Sequence, residues 1–438
     1  MTSSKKTKTT EDFHRERANL GQRVGVINLG CARNVVDSQT ILTNLKRQGH
    51  VIVDAEDCDV AFVNTCAFID EAKQESLDMI MELLEAKKKG KIKKVVVAGC
   101  LAQRYADELR KEFKDIDAII GTQQLNKYDI PSSVSLTAKH TAYVKISESC
   151  YNRCSFCIIP KIKGKFVSRT IESVKQEVAA LDKNGVKEIN LIGQDITAYG
   201  MDLYHELSLA RLLKEIVPAC RSIEWIRLLY AFPAHVTDEL IEVIADEPKI
   251  CKYIDIPLQH ISEHILKSMN RNITTEGTQL LMEKFRRKIP QGSLRTTFIV
   301  GLPGERDEDF EELLAFMKKE RFQKLGAFIY SKEEGTQAYG MSAHVPEQLK
   351  KKRMKMLMEA QQEISREIQE SFIGRELKVL IDEVQNEETG VYLGRSEFDA
   401  PEVDGLIYVH AKAKLKPGQF VNVKIDQSYE YDLSGHAV

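Results

Sequence analysis

Six of the nine cysteines fall into two sets of three, and neither set has a fourth member. Cys150, Cys154 and Cys157 lie in ESCYNRCSFC with CxxxCxxC spacing. Cys31, Cys66 and Cys100 are far apart, yet each closes a short motif of one type: NLGC, VNTC and VAGC. A structural zinc site closes with four ligands, and an ordinary iron–sulfur cluster takes four cysteines. Two sets of three therefore suggest two clusters, each with one iron open to a non-protein ligand. The rival for the tight loop is a zinc knuckle with a distant fourth ligand, but no His follows at finger spacing. For any one separated cysteine a buried core thiol is the simpler reading; three in equivalent positions argue against it. An odd cysteine count speaks against a disulfide framework and for metal or redox chemistry in a reducing compartment. Cys58, Cys220 and Cys251 lie beside apolar runs and are predicted to be small core residues.

The elements that must carry these residues alternate in an α/β rhythm. RVGVINLG, VAFVNT and KVVVAGC read as strands, separated by the helical stretches VVDSQTILTNLKRQG and IDEAKQESLDMIMELLEAKKK. Parallel strands with helical crossovers fit this order. All three lone cysteines then fall at or just after the C-terminal ends of strands, the edge where open α/β sheets bind ligands. After the turn-rich YDIPSSVSLTAKHT, a second series starts with TAYVKIS and the cysteine loop. It continues through EINLIGQD, WIRLLYAF, YIDIPLQH, RTTFIVGLPG and LGAFIYS, with helices such as IESVKQEVAALDKNG between them. About six strand–helix units exceed a small flavodoxin-like sheet and predict a complete or partial parallel barrel. EQLKKKRMKMLMEAQQEISREIQESF reads as a long helix whose KKKR run is expected on a solvated face. Beyond Gly374, ELKVLIDEV, GVYLGRS, GLIYVHA and QFVNVKIDQ predict a small antiparallel β-barrel.

The resulting fold class is α/β with an appended β-barrel. The expected divisions are a disordered Lys/Thr-rich tail over 1–20, an α/β domain over 21–138, a second α/β domain over 139–370 and the barrel over 371–438. The 438 residues are 43% hydrophobic and 29% charged with a net charge of -2, so no global basic signature marks a nucleic-acid binder. No apolar run approaches a membrane span, and MTSSKKTKTTEDFHRER lacks the apolar core of a signal peptide. A cytoplasmic protein with no membrane partner is expected.

The cysteine loop and the segments after it resemble the radical SAM superfamily. The resemblance implies that Cys150, Cys154 and Cys157 hold a 4Fe–4S cluster whose open iron binds S-adenosylmethionine, and that electron transfer into the sulfonium yields an adenosyl radical. Phe156 sits where the superfamily has an aromatic residue near the adenine. LIGQD resembles the segment that receives the methionine amino group, which marks Gln194 and Asp195. FIVGLPGERDEDF resembles the Gly-rich turn near ribose and adenine, which marks Gly301, Gly304 and Glu305. Arg169 in VSR and Arg271 in MNR are candidates to orient the cofactor carboxylate or the substrate. Gln259 and His260 are candidates for the barrel mouth, although His260 also suits a core position.

The three-part layout is similar to the methylthiotransferase family, whose C-terminal barrel is a TRAM domain. The resemblance covers about residues 21–435 and rests on NLGCARNVVDSQ, VNTCAFIDEAKQES and AGCLAQRY as well as the superfamily motifs. It implies that Cys31, Cys66 and Cys100 hold a second 4Fe–4S cluster used in sulfur insertion. S-adenosylmethionine would then serve as radical source and methyl donor. Members modify either an adenosine beside the anticodon of tRNA or an aspartate of small-subunit ribosomal protein twelve. KISESCYNRCSFCIIPKIKGKFVSR, WIRLLYAFP, EPKICKYIDIPLQHIS, IYSKEEGT and RSEFDAPEVDG resemble the protein-modifying branch.

Charge gives independent support for that branch. Residues 371–438 hold 7 Lys/Arg against 12 Asp/Glu, a balance of -5, whereas an RNA-gripping barrel should be basic. An acidic barrel suits a basic ribosomal protein, with Asp399, Glu402 and Asp404 as expected contacts. The tRNA branch is the alternative, and a non-catalytic iron–sulfur RNA-binding module is a rival of another class. A monomer that draws on an unidentified electron donor completes the expectation. The chain departs from the family pattern at Gln39, where Glu is usual, and at Ser149, where Gly is usual. The second departure bears on the turn into Cys150, since Gly tolerates positive φ and Ser does not.

Overall fold

The computed structural model describes residues 21–125 and 134–438. The expected tail over 1–20 and the YDIPSS part of the turn-rich passage lie outside the described residues. By internal contacts the chain forms two units. One runs to Leu136 and includes Lys161–Gly164; the other comprises Thr137–Pro160 and Lys165–Val438.

The first unit is a five-stranded parallel sheet. Its strands are β1 (Arg23–Asn28), β2 (Val51–Ile52), β3 (Val60–Thr65), β4 (Lys94–Gly99) and β5 (Ala118–Gly121), in the order β2-β1-β3-β4-β5. The expected helices are Ala32–Arg47 and Asp70–Lys88. β3 and β4 carry the continuous apolar stretches VAFV and VVVA because both faces are covered, and Val24, Leu45, Val60, Phe62 and Val96 form a core on one side. In this strand order the crossovers change direction between β1 and β3, which leaves a crevice beyond their C-terminal ends. Cys31 follows β1 and Cys66 follows β3.

The second unit opens with β6 (Thr141–Lys145) and a small antiparallel pair, β7 (Ser147–Glu148) with β8 (Val167–Ser168). β9 (Glu188–Ile192), β10 (Trp225–Leu228), β11 (Ile250–Asp255), β12 (Ser293–Val300) and β13 (Lys324–Ile329) complete a parallel sheet with β6. Its order, β13-β12-β11-β10-β9-β6, is sequential and open at β6 and β13, so the partial form of the barrel is the one adopted. Helices bury its outer side chains in a single large core that includes Val144, Leu191, Ile226, Ile254 and Phe298. Helix Glu347–Glu370 adds to it through Leu357 and Ile364. The KKKR run on this helix is not uniformly solvated. Lys350 and Arg353, one helical turn apart, are buried, while Lys351 and Lys352 are exposed.

A closed five-stranded barrel ends the unit: β14 (Glu376–Asn386), β15 (Val391–Ser396), β16 (Ile407–His410), β17 (Phe420–Ser428) and β18 (Leu433–Ala437). Four of these strands were expected and β18 was not. It pairs parallel to β16, so the barrel departs from the wholly antiparallel form. The barrel is fixed to the parallel sheet through the N-terminal ends of its strands. Trp225 packs on Phe420 with ring centres 4.8 Å apart. Glu188, the first residue of β9, receives Arg227 Nε at 2.9 Å and Arg395 Nη2 at 2.7 Å. Arg395 also binds Asp382, which His140 Nε2 meets at 2.8 Å. Among the described residues no helix is long and apolar enough to cross a membrane.

Candidate functional site

The cysteine loop hangs from the C-terminal end of the second sheet and is held mostly by one distant segment. Ser155 N and Oγ donate to the carbonyls of Met269 and Ser268, at 2.9 and 2.7 Å. Asn270 Nδ2 donates to Arg153 O at 2.7 Å. Cys150, Cys154 and Cys157 are free thiols, each part-exposed. Arg271 continues the same segment and is almost wholly buried. Its Nη1 lies 3.7 Å from Cys154 Sγ, its Nη2 donates to Pro257 O at 2.7 Å, and its guanidinium covers the Phe232 ring at 4.3 Å. Arg271 Nε is buried without a hydrogen-bond partner. Burial lowers the Arg271 pKa, and the neighbouring Cys154 works against that shift. Burial, then the charge of Asp195, pushes the Cys150 thiol up to about 12. At Cys150 the bare loop thus disfavours the thiolate that a bound metal would stabilise. A buried cation beside one sulfur and an unmet donor beside it fit an anionic, sulfur-rich group. Among the described residues no three His, Cys, Asp or Glu side chains converge on a single ion position; a cubane holds each cysteine at a separate iron.

Ser149, which enters the loop, is buried with φ of +61°. The left-handed conformation costs a non-glycine residue roughly 1–2 kcal/mol. Ser149→Gly is therefore expected to raise stability by about 1 kcal/mol after the added unfolded-state entropy, read as a higher urea midpoint.

The other expected cofactor residues divide into those the fold presents and those it uses internally. Phe156 packs part-buried against Ile265, Met269, Leu302, Tyr330 and Ala338. Gln194 is half-buried just past β9. Gly301 adopts φ of +80°, and a Cβ there would lie 2.4 Å from Lys350 Cγ, so a side chain is excluded; Gly304, at φ of +87°, faces open space. Glu305 is buried and binds inward, accepting from Gly301 N at 2.7 Å and from Arg353 Nη1 at 2.7 Å. It braces the Gly-rich turn from behind. Arg169 is likewise occupied, by Glu177, by Ser173 and by Lys145 O at 3.1 Å, so its guanidinium ties β6 to a helix. His260 is fully buried and neutral, with burial pushing its pKa down to about 3, which is the core reading of that residue. Asp195 accepts Thr197 N at 2.9 Å and Asn152 Nδ2 at 2.7 Å, and His235 Nδ1 lies 2.8 Å from it. His235 carried no sequence signal; a lone His in FPAH is indistinguishable from a loop histidine.

In the first unit, the strand endings NLGC, VNTC and VAGC have a physical basis. Asn34 Nδ2 donates to Leu29 O at 2.7 Å and Thr65 O at 3.2 Å, and Thr65 Oγ1 donates to Ala98 O at 2.6 Å. These bonds tie the ends of β1, β3 and β4 together. Gly30 and Gly99 take φ of +89° and +99°; a Cβ on Gly30 would lie 2.9 Å from Cys66 Cβ, and one on Gly99 2.3 Å from Asn64 Oδ1. Burial pushes Cys100 up to about 12, with Cys66 and Cys31 adding repulsion. Burial likewise raises Cys66, where the charge of Cys31 adds to it. For Cys31 burial is outweighed by Arg33, by the backbone N–H of Asn34 and by Lys163, and the thiol is lowered. Lys163 Nζ itself pairs with buried Asp37 at 2.9 Å. The three thiols are close enough to feel one another's charge, on a cradle that side chains at the two glycines would fill. That suits a second anionic sulfur-rich group.

Two of the three expected partner contacts face inward. Asp399 accepts Lys324 Nζ at 2.6 Å, and Asp404 accepts Tyr253 OH at 2.8 Å while pairing with Arg295. Both side chains are buried, where they neutralise cations at the N-terminal edge of the parallel sheet. Part of the barrel's acidity is thus internal. Glu402 is exposed, with φ of +68°.

The chain matches three families in order: an uncharacterised protein family, UPF0004, over residues 23–121, the radical SAM superfamily over 144–317 and the TRAM domain over 373–438. It is 46% identical over 439 residues to the ribosomal protein uS12 methylthiotransferase RimO of Caldanaerobacter subterraneus, covering 94% of this chain and 99% of that one. It is 44% identical to the protein of the same name from Desulforamulus reducens, covering 94% and 98%. The chain belongs to the RimO family. Among solved structures, the fold of this RimO-family chain resembles the radical S-adenosylmethionine methyltransferase TsrM of Kitasatospora setae, at TM-score 0.51 and 15% identity over 70% of this chain and 75% of that one. It also resembles the cobalamin-dependent radical enzyme OxsB, at TM-score 0.51 and 12% identity over 80% and 57%. At these identities the likeness is one of fold.

Proposed function

We propose that the chain is a radical SAM methylthiotransferase that places a methylthio group on the β-carbon of an aspartate in ribosomal protein uS12. The observation that carries this reading is the pair of cysteine triads, each at the C-terminal edge of a parallel sheet, in a chain of RimO kinship over nearly its whole length.

The residues divide the work. Cys150, Cys154 and Cys157 would hold a 4Fe–4S cluster, and Cys31, Cys66 and Cys100 a second. Loaded with these and S-adenosylmethionine, the protein would have a source of adenosyl radical, a holder for sulfur and a methyl donor. Arg271 offsets thiolate charge at Cys154. Phe156, Gln194 and the Gly301–Gly304 turn offer an apolar face, an amide and open backbone for the S-adenosylmethionine. Glu305 keeps that turn in place through Gly301 N, and Asp195 keeps the cysteine loop in place through Asn152. Hydrogen abstraction from an unactivated carbon needs no protein base, so none is assigned. Glu402 is the contact offered to a basic substrate. The electron donor is a separate protein or reductant, and the enzyme acts as a monomer in the cytoplasm.

Mass spectrometry of uS12 and of bulk tRNA from a strain lacking the gene tests the reading. Loss of the methylthio mark from uS12 with tRNA unchanged is expected. Loss from tRNA alone would overturn it in favour of the adenosine-modifying activity.

A further inference from the structure

We propose that His235 is a positioning residue for the cysteine loop, and that the turn from Phe232 to His235 braces two of its three thiols at once. The proposal rests on the reading of Cys150, Cys154 and Cys157 as cluster ligands and extends it to residues that carry no cysteine and no superfamily motif.

One arm runs through hydrogen bonds. Asp195 is buried, and its Oδ1 is saturated by Thr197 N at 2.9 Å, Thr197 Oγ1 at 2.5 Å and Ala198 N at 3.2 Å. Its Oδ2 receives Asn152 Nδ2 at 2.7 Å and lies 2.8 Å from His235 Nδ1. With Oδ2 already an acceptor from Asn152, the imidazole donates from Nδ1. The same Asn152 amide nitrogen is 3.8 Å from Cys150 Sγ. His235 thus fixes the carboxylate that aims the amide at a ligand sulfur.

The other arm runs through packed rings. The Phe232 ring lies 5.0 Å from the His235 ring and carries the Arg271 guanidinium at 4.3 Å, whose Nη1 is 3.7 Å from Cys154 Sγ. Tyr151, between two of the cysteines, meets the His235 ring edge-on at 6.2 Å. The arms join at Thr197: Phe232 N donates to its Oγ1 at 3.0 Å, and that hydroxyl also contacts Asp195. The turn Pro233–His235 follows β10 by only a few residues, so both arms are referred to the rigid sheet. Hydrogen bonds and charges at ligand sulfurs set the potential of a cluster, and a loosened brace would change it.

The test compares His235→Ala, His235→Asn and Asn152→Ala in the full chain. Asparagine keeps an N–H that can reach Asp195, and alanine does not. In protein without cluster, amide hydrogen exchange of residues 149–157 should speed up in His235→Ala and Asn152→Ala and stay near wild type in His235→Asn. In anaerobically reconstituted protein, the reduced cluster's electron paramagnetic resonance spectrum and midpoint potential should shift in the two alanine variants and lie nearer wild type in His235→Asn, which keeps the hydrogen-bonded arm and loses the ring. Unchanged exchange and spectrum in His235→Ala would overturn the proposal, as would an asparagine variant no better than alanine. Should His235→Ala not fold, His235→Phe, which keeps a ring and loses the donor to Asp195, carries the same comparison. A wild type that binds no cluster would instead refute the underlying reading, and the exchange measurement would still decide whether His235 governs the loop.

Discussion

Anaerobically reconstituted Cys154→Ala protein is expected to release no 5′-deoxyadenosine from S-adenosylmethionine, whereas Cys66→Ala should still release it and yet leave uS12 unmodified. The separation follows from where the triads sit. Cys154 belongs to a loop anchored on Met269 and Ser268, and its thiol is the one Arg271 approaches. Cys66 belongs to the other folding unit, at the end of a strand whose neighbours supply Cys31 and Cys100. Losing either thiol removes one corner of one site and leaves the sheet beneath the other untouched. The nucleoside and the modified protein, separated by chromatography and mass spectrometry, read the two sites independently. A Cys66→Ala protein that still methylthiolates with reductant supplied would reduce the first unit to an electron relay.

Glu188→Ala is expected to cost roughly 3–5 kcal/mol and to loosen the C-terminal barrel from the parallel sheet. The carboxylate is wholly buried between two guanidinium groups that are themselves buried, those of Arg227 and Arg395. Removing it leaves the buried Arg227 without a counter-ion and Arg395 with Asp382 alone, and that is the expensive way to break an ion pair. Glu188→Gln should cost less, because the amide oxygen can still accept one of the N–H groups. The pH dependence has a definite sign. Burial raises the Glu188 carboxyl, but Arg395 and Arg227 outweigh it and hold it below its ordinary 4.5. Asp382 is also lowered, by the His140 hydrogen bond and Arg395 against its burial. A depressed carboxylate contributes stability that is present above its unfolded pKa and lost as pH falls through the folded one. Wild type should therefore lose stability below about pH 4.5, and Glu188→Ala should show a flatter acid limb in urea midpoints.

The features that were legible in the sequence are those written in local pattern. VAFV in β3 and VVVA in β4 are unbroken apolar stretches, as strands covered on both faces must be, and the cysteines that follow the strands mark the ligand-binding edge. β2, with two residues, and β18, with the string LSGHA, carry no such signal; each is a strand because a neighbour is there to pair with it. The site was legible where chemistry demands a residue type at a spacing, and opaque where a side chain's role depends on what lies across the fold. Glu305 and Arg169 look like cofactor ligands until Arg353 and Glu177 are seen to occupy them. Asp399 and Asp404 look like a surface for a basic partner, and their partners are Lys324 and Arg295 of the same chain, on the other side of the interface. Asp195 and His235, forty residues apart, meet only because β9 and β10 are neighbours.

The central claim is that two triads hold two clusters, and iron and acid-labile sulfide in anaerobically purified protein test it most directly. About eight irons per chain are expected in the wild type and about four in Cys31→Ala. A wild type with about four, or a Cys31→Ala protein that keeps all of its iron, would contradict the account.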